Sequence, residues 1–92
     1  MENLKFSYTI DSVYNIIGRG IIVLGRIEKG ELKQGDELEL VDNNTSIKTK
    51  CLRIEKFRKI VEIAKQGDCV GILLSNVSYS DVFYKKKLII KE

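Results

Sequence analysis

Six basic side chains fall within twelve residues: Lys48, Lys50, Arg53, Lys56, Arg58 and Lys59, with a single acid, Glu55, among them. A second run, Lys85, Lys86 and Lys87, lies near the C-terminus of a chain whose net charge is only +3. Two local concentrations of positive charge on a nearly neutral body are the footprint expected for a polyanion. The competing reading is a solvated strand face and an edge strand guarded by lysine against pairing with other chains.

Other chemistry is poorly supplied. The chain has no histidine, which removes the usual general base near neutral pH and every histidine-dependent triad or metal site. In Gly18-Arg19-Gly20 the third glycine of a dinucleotide fingerprint would fall at Val23. Gly20 and Gly25 have phosphate-loop spacing, but Arg26 and Ile27 stand where Lys and Ser or Thr must reach phosphates and magnesium. Cys51 and Cys69 are the only cysteines, too few for a tetrahedral zinc site, and both are expected to be small buried residues. Glu28, Glu31, Asp36 and Glu37 sit near turns, where carboxylates commonly accept bonds from turn amides; a two-carboxylate hydrolase would be recognised only by their separation in space. Binding without catalysis is expected, with no cofactor and no metal.

The elements that must carry these residues are strands. Leu4, Phe6, Tyr8 and Ile10 alternate with polar neighbours, so the first strand has one buried and one wet face. Ile21 to Glu28 is the longest β-branched run and the expected central strand, and Gly25 within it suggests a bulge or a close backbone approach. Turn signals at Gly30 and Gly35 leave Glu31 to Lys33 as a very short strand before Glu37 to Val41, and Asp42-Asn43-Asn44 reads as the next turn. On the following strand Ile47 and Cys51 share one parity while Leu52 and Ile54 take the other, which predicts a bulge around Leu52 and Arg53. Val61 to Gln66 has the length of one helical turn, though Val and Ile are poor helix formers. Cys69 to Leu74 reads as a buried strand, Ser75 to Asp81 as a loop and Lys87 to Lys91 as the closing strand, with Ile22 and Leu74 in the core.

Short strands, repeated glycine turns and no substantial helix argue for an all-β fold, a small closed antiparallel barrel. A chain of 92 residues buries roughly 60% of its unfolded surface, so a single domain over residues 1–92 is expected. No apolar run approaches the ~18 residues of a membrane span, and the N-terminus has no signal-peptide pattern. A cytoplasmic protein without membrane contact is expected.

Four segments, in order, resemble the second, β-barrel domain of elongation factor Tu and related translational GTPases. They are Asp11 to Ile16, the glycine-rich stretch Gly18 to Asp36, Ile54-Glu55-Lys56-Phe57-Arg58-Lys59, and Ala64 to Leu74 ending in Leu73-Leu74. The likeness runs from about Phe6 to Leu88 and implies a six-stranded Greek-key barrel, here as a stand-alone barrel with no GTPase domain. In elongation factor Tu this barrel holds the 3′-terminal adenosine of aminoacyl-tRNA. The resemblance places that role on Glu55, Arg58 and Leu73, and the basic segment adds Lys48, Lys50, Lys56 and Lys59 as expected RNA contacts. A carboxylate accepts a ribose hydroxyl, a guanidinium stacks or binds phosphate, and a leucine packs on a base.

The implied partner is structured RNA, a tRNA end or ribosomal RNA. The alternative is a protein-interaction module that docks on a GTPase domain or within a ribonucleoprotein, for which an apolar patch around Ile21, Leu24 and Tyr84 would speak. Glu55 and Arg58 would then be an ion pair at a strand end.

Overall fold

A computed structural model describes residues 3–92. The first alternating segment is β1 (Leu4–Ile16), and a turn over residues 17–19 returns the chain as β2 (Gly20–Lys29). Next come β3 (Glu31–Lys33) and β4 (Glu37–Val41), with the bounds that the turn signals predict. Beyond the Asp42 turn lie β5 (Ser46–Lys56), β6 (Lys59–Val61) and β7 (Ile63–Lys65). They are followed by β8 (Cys69–Leu74), the helix α1 (Tyr79–Lys85) and β9 (Lys87–Lys91).

Six strands form a closed antiparallel ring in the order β4, β9, β1, β2, β8, β5, and pairing of β4 with β5 completes it. The successive strands β4, β5 and β8 are neighbours and β8 lies beside β2, which is Greek-key connectivity. Closure removes the open sheet edges that would template association. β6 continues from β5 as a hairpin, and β3 pairs with β7.

Register shifts let the strands bend, and two of them bear on the site. Ile10 pairs with Gly25 and Ser12 with Leu24, leaving Asp11 as an extra residue on β1. The sequence marks the place through Gly25, but the bulged residue lies on the partner strand. A Cβ on Gly25 would sit 2.0 Å from the Thr9 carbonyl oxygen, so the two backbones close here only because that atom is missing. On β5, Cys51 pairs with Leu74 and Arg53 with Leu73, which leaves Leu52 unpaired as the parity slip predicts. Both Cys51 and Ile54 therefore reach the interior, although they stand an odd number of positions apart.

The interior holds Phe6, Tyr8, Ile27, Leu40, Ile72 and Leu88, all fully buried. The Tyr8 hydroxyl donates to the Val70 carbonyl at 2.7 Å, which satisfies the one polar atom of a buried ring. Burial pushes its phenol well above the usual range. The paired β3 and β7 bury Leu32 and Ala64, and α1 buries Val82.

Four sequence-based expectations are corrected. Val61 to Gln66 is not a helical turn: Val61 ends β6 and residues 63–65 pair with β3, because β-branched residues beside an unpaired short strand gain more from a ladder than from one isolated turn. Ser75 to Asp81 is not all loop. Ser78 accepts a bond from the Asp81 amide and Asp81 accepts one from the Ser78 amide, and this capping box starts α1 at Tyr79. Ile22 is only half-buried, since Ile21 and Val23 take the inward parity of β2, whereas Leu74 is in the core as expected. Cys51 is buried and its thiol is pushed up to about 11, chiefly by desolvation, but Cys69 is exposed on the outward parity of β8.

Gly25→Ala should force β1 and β2 apart and cost about 3 kcal/mol or more, read as a lower urea midpoint at unchanged slope; an unchanged midpoint would show that the close approach is not required. Acid acts at a different place. The Asp42 carboxylate accepts the Asn44 and Thr45 amides, both at 2.8 Å, and pairs with Lys85 at 3.1 Å. These bonds, the Asn44 amide first, hold its pKa well below the ordinary 3.8. The Lys65 amide and then the Lys56 ammonium lower that of Asp68. A depressed folded pKa contributes stability above the unfolded value that is lost as the pH falls through the folded one. The melting temperature should therefore fall with pH below 3.8, and Asp42→Asn should lower it near neutrality while reducing its acid sensitivity.

Candidate nucleic-acid interface

The bulge at Leu52 decides which side chains β5 presents outward. Before it, Lys48 and Lys50 point out while Thr49 and Cys51 point in; after it, Ile54 is inside and Arg53 and Glu55 face out. Without the extra residue Ile54 would face solvent and Arg53 the core. Register then sets the neighbours. Leu73 lies between Arg53 on β5 and Ile22 on β2, and Gly71 lies between Glu55 and Leu24. Glu55 and Leu73 are thus diagonal neighbours on one outer face.

Gly71 leaves a recess in that face that the Leu24 side chain covers, so the glycine itself is buried. A Cβ there would meet Leu24 Cδ2 at 3.0 Å and Glu55 Cβ at 3.8 Å, so the leucine side chain leans over the glycine toward the carboxylate. Ile22 and Leu73 are half-buried beside it and Leu24 is 42% exposed. The result is an apolar wall next to a carboxylate, suited to the flat face of a base and a ribose hydroxyl.

Glu55 is paired with Arg53, its Oε2 2.7 Å from Nη2, and not with Arg58. The second guanidinium nitrogen type, Arg53 Nε, is buried without a partner. Arg58 sits at the tip of the β5–β6 hairpin, where Lys56 pairs with Lys59 across a two-residue turn. Both turn residues have positive φ, 52° at Phe57 and 65° at Arg58. This matches a tight hairpin turn that ordinarily carries Asn-Gly, and a bulky aromatic in that region is strained. Phe57 is 87% exposed, and its ring contact is with the Lys56 ammonium 5.8 Å from its centre, so burial does not explain its presence at the tip.

The basic cluster is less uniform in space than in sequence. Lys56 binds Asp68 at 3.1 Å, and in the β4–β5 ladder Lys48 faces Glu39 and Lys50 faces Glu37. Where β4 and β9 part, a cleft of about 600 Å³ carries those same alternating charges with Lys91, a poor site for a polyanion. The run Lys85 to Lys87 is also divided, since Lys85 is tied to Asp42. Of the residues singled out by sequence, Glu55, Leu73, Arg58 and Lys59 cluster at the β6-proximal half of β5, while Lys48 and Lys50 lie on the other half.

The apolar patch around Ile21, Leu24 and Tyr84 that would speak for docking does not form. Ile21 is buried and Tyr84 is on α1, and the outward-facing apolar neighbours of Leu24 are Ile22 on the same strand and Leu73 on the diagonal. Sequence reading missed Ile22, Gly71 and Phe57 here, and named Arg53 only as one of the clustered basic residues, not as the partner of Glu55. Counting parity outward from Gly25 would have found Leu24 and Ile22 together; nothing in the sequence announces the turn type at Phe57. Among the described residues, no helix is long and apolar enough to cross a membrane.

The strained tip yields a stability test. Replacing Phe57→Asn and Arg58→Gly together should raise stability by about 1–3 kcal/mol, because both residues then suit the turn. Urea unfolding measures it, and a loss of stability would show that the tip is held by its packing rather than strained.

Compared with known families, the sequence model described as Elongation factor Tu domain 2 matches residues 20–83, a span that includes Glu55, Arg58, Leu73 and the recess at Gly71.

Proposed function

The chain belongs to the Elongation factor Tu domain 2 family, and on that premise we propose that this translation-factor-like barrel binds structured RNA, a tRNA end or a ribosomal RNA segment, without catalysing a reaction on it. The observation that carries the reading is the grouping of Glu55, Leu24 and Leu73 around the Gly71 recess, with Arg58 at the adjoining tip. A terminal base packs on the leucines. Its ribose hydroxyl donates to the Glu55 oxygen not engaged by Arg53, and Arg58 and Lys59 meet phosphates. Arg53, 2.7 Å from the carboxylate, holds it in orientation, a positioning role. Such a protein acts where its RNA is, in the cytoplasm.

A second reading is favoured by one observation. Tyr14 and Leu24 are exposed on adjacent rows of the outer surface and Ile60 lies beyond Glu55 on the Leu24 row, and exposed apolar side chains interspersed with charge also suit a protein partner, a GTPase domain or a ribonucleoprotein component.

RNA titrations at several salt concentrations separate the two. With three or four phosphates engaged, the log–log salt slope should be about −2 to −4, with weak affinity. Replacing Arg58 and Lys59 should flatten it by about 0.7 for each phosphate no longer engaged, whereas Lys48 and Lys50, which face acids, should matter less. Arg58→Ala should weaken RNA with a free 3′ end more than RNA whose end is blocked. Absence of salt-dependent binding at tens of micromolar protein would remove the RNA reading and leave protein docking.

A further inference from the structure

α1 carries a cluster that the β5–β8 face does not explain. Its buried residue is Val82, while Tyr79, Phe83 and Tyr84 are 47%, 48% and 75% exposed. The rings form one group. Tyr79 and Phe83 stack with centroids 6.1 Å apart, and Phe83 meets Tyr84 edge-on at 5.2 Å. The helix does not need these rings for its own stability, because the Ser78–Asp81 capping box holds its start and the Lys85–Asp42 pair ties its end to the β4–β5 turn.

Cations flank the rings. Lys86 occupies the left-handed C-cap position, φ 55°, where glycine is usual, and its Nζ lies 5.7 Å from the centre of the Phe83 ring. Lys87 follows at the start of β9. The one acid of the helix, Asp81, is engaged by the Ser78 amide.

We propose that α1 and Lys86 and Lys87 form a binding site for unpaired nucleotides, in which bases stack on Phe83 and Tyr84 and the two ammonium groups meet the phosphates. Exposed π faces accept any base, and flanking cations follow the backbone. Charge complementarity selects this occupant: an apolar protein surface would cover the rings but offer both ammonium groups no counter-charge, whereas a nucleic-acid strand satisfies rings and lysines together. The site is independent of the reading of the β5–β8 face. α1 is tied to the turn before β5 and Phe57 and Arg58 follow its end, so the length of that strand, about 30 Å, separates them.

The test uses the full chain and a fluorescein-labelled, single-stranded RNA hexamer of mixed sequence, followed by anisotropy. The hexamer should bind, and Phe83→Ala and Tyr84→Ala should each weaken it about tenfold, with far-UV circular dichroism verifying the fold. Lys86→Gln with Lys87→Gln should lower the magnitude of the salt slope by about 1.4. An abasic hexamer that binds as tightly as the intact one would overturn the proposal, as would unchanged affinity in both aromatic variants. Amide chemical-shift mapping on the unmodified protein gives a readout that needs no variant. Shifts concentrated in residues 79–87 support the site. Shifts confined to residues 53–60 and 71–73 assign the hexamer to the other face and overturn it.

Discussion

One residue of extra length in β5 organises this molecule. In a closed ring every strand has a committed inward face, so alternation cannot change parity without a bulge. Leu52 supplies it. The interior gains Ile54 as well as Cys51, and the exterior gains Arg53 and Glu55 on the same strand. Core packing and the candidate site are therefore consequences of one irregularity. The bulge at Asp11 opposite Gly25 complements it, bending the longest pair of strands where glycine permits the backbones to touch.

Electrostatics on the outer surface are local rather than global. The segment from Lys48 to Lys59 looks like a basic stripe when written in one line, yet folding places acids opposite its lysines and gives Arg53 and Lys56 carboxylate partners. At the β6-proximal end an apolar wall and an oriented carboxylate adjoin the hairpin tip that carries Arg58. The surface strain at Phe57 and Arg58 is consistent with that emphasis, since a turn chosen for stability alone would carry different residues.

Much of the fold was legible in the sequence because strand parity and glycine turns are local signals. Glu31 to Lys33, Glu37 to Val41 and the bulge at Leu52 follow from counting alone. The failures have physical causes. β6 and β7 are three-residue strands whose existence depends on pairing partners, and for β7 the partner is distant in sequence, so no local preference reveals it. α1 rests on a capping box that was present at Ser78 and Asp81 but lay in a segment read as loop. Ile21 and Ile22 are adjacent and chemically identical, and only register tells which one is buried. At the site, the family segment placed Glu55, Arg58 and Leu73, but the Arg53–Glu55 pair depended on the bulge and the Gly71 recess on register across three strands.

The central claim, that the outer face formed by β5 and β8 meets RNA, is tested most directly by ultraviolet cross-linking in the native cell, followed by recovery of the chain and mapping of nucleotide adducts on its peptides. The account predicts adducts on the segment from Arg53 to Lys59, with Phe57 at their centre. Recovery of the chain with protein partners and no nucleotide adduct on that segment would contradict it.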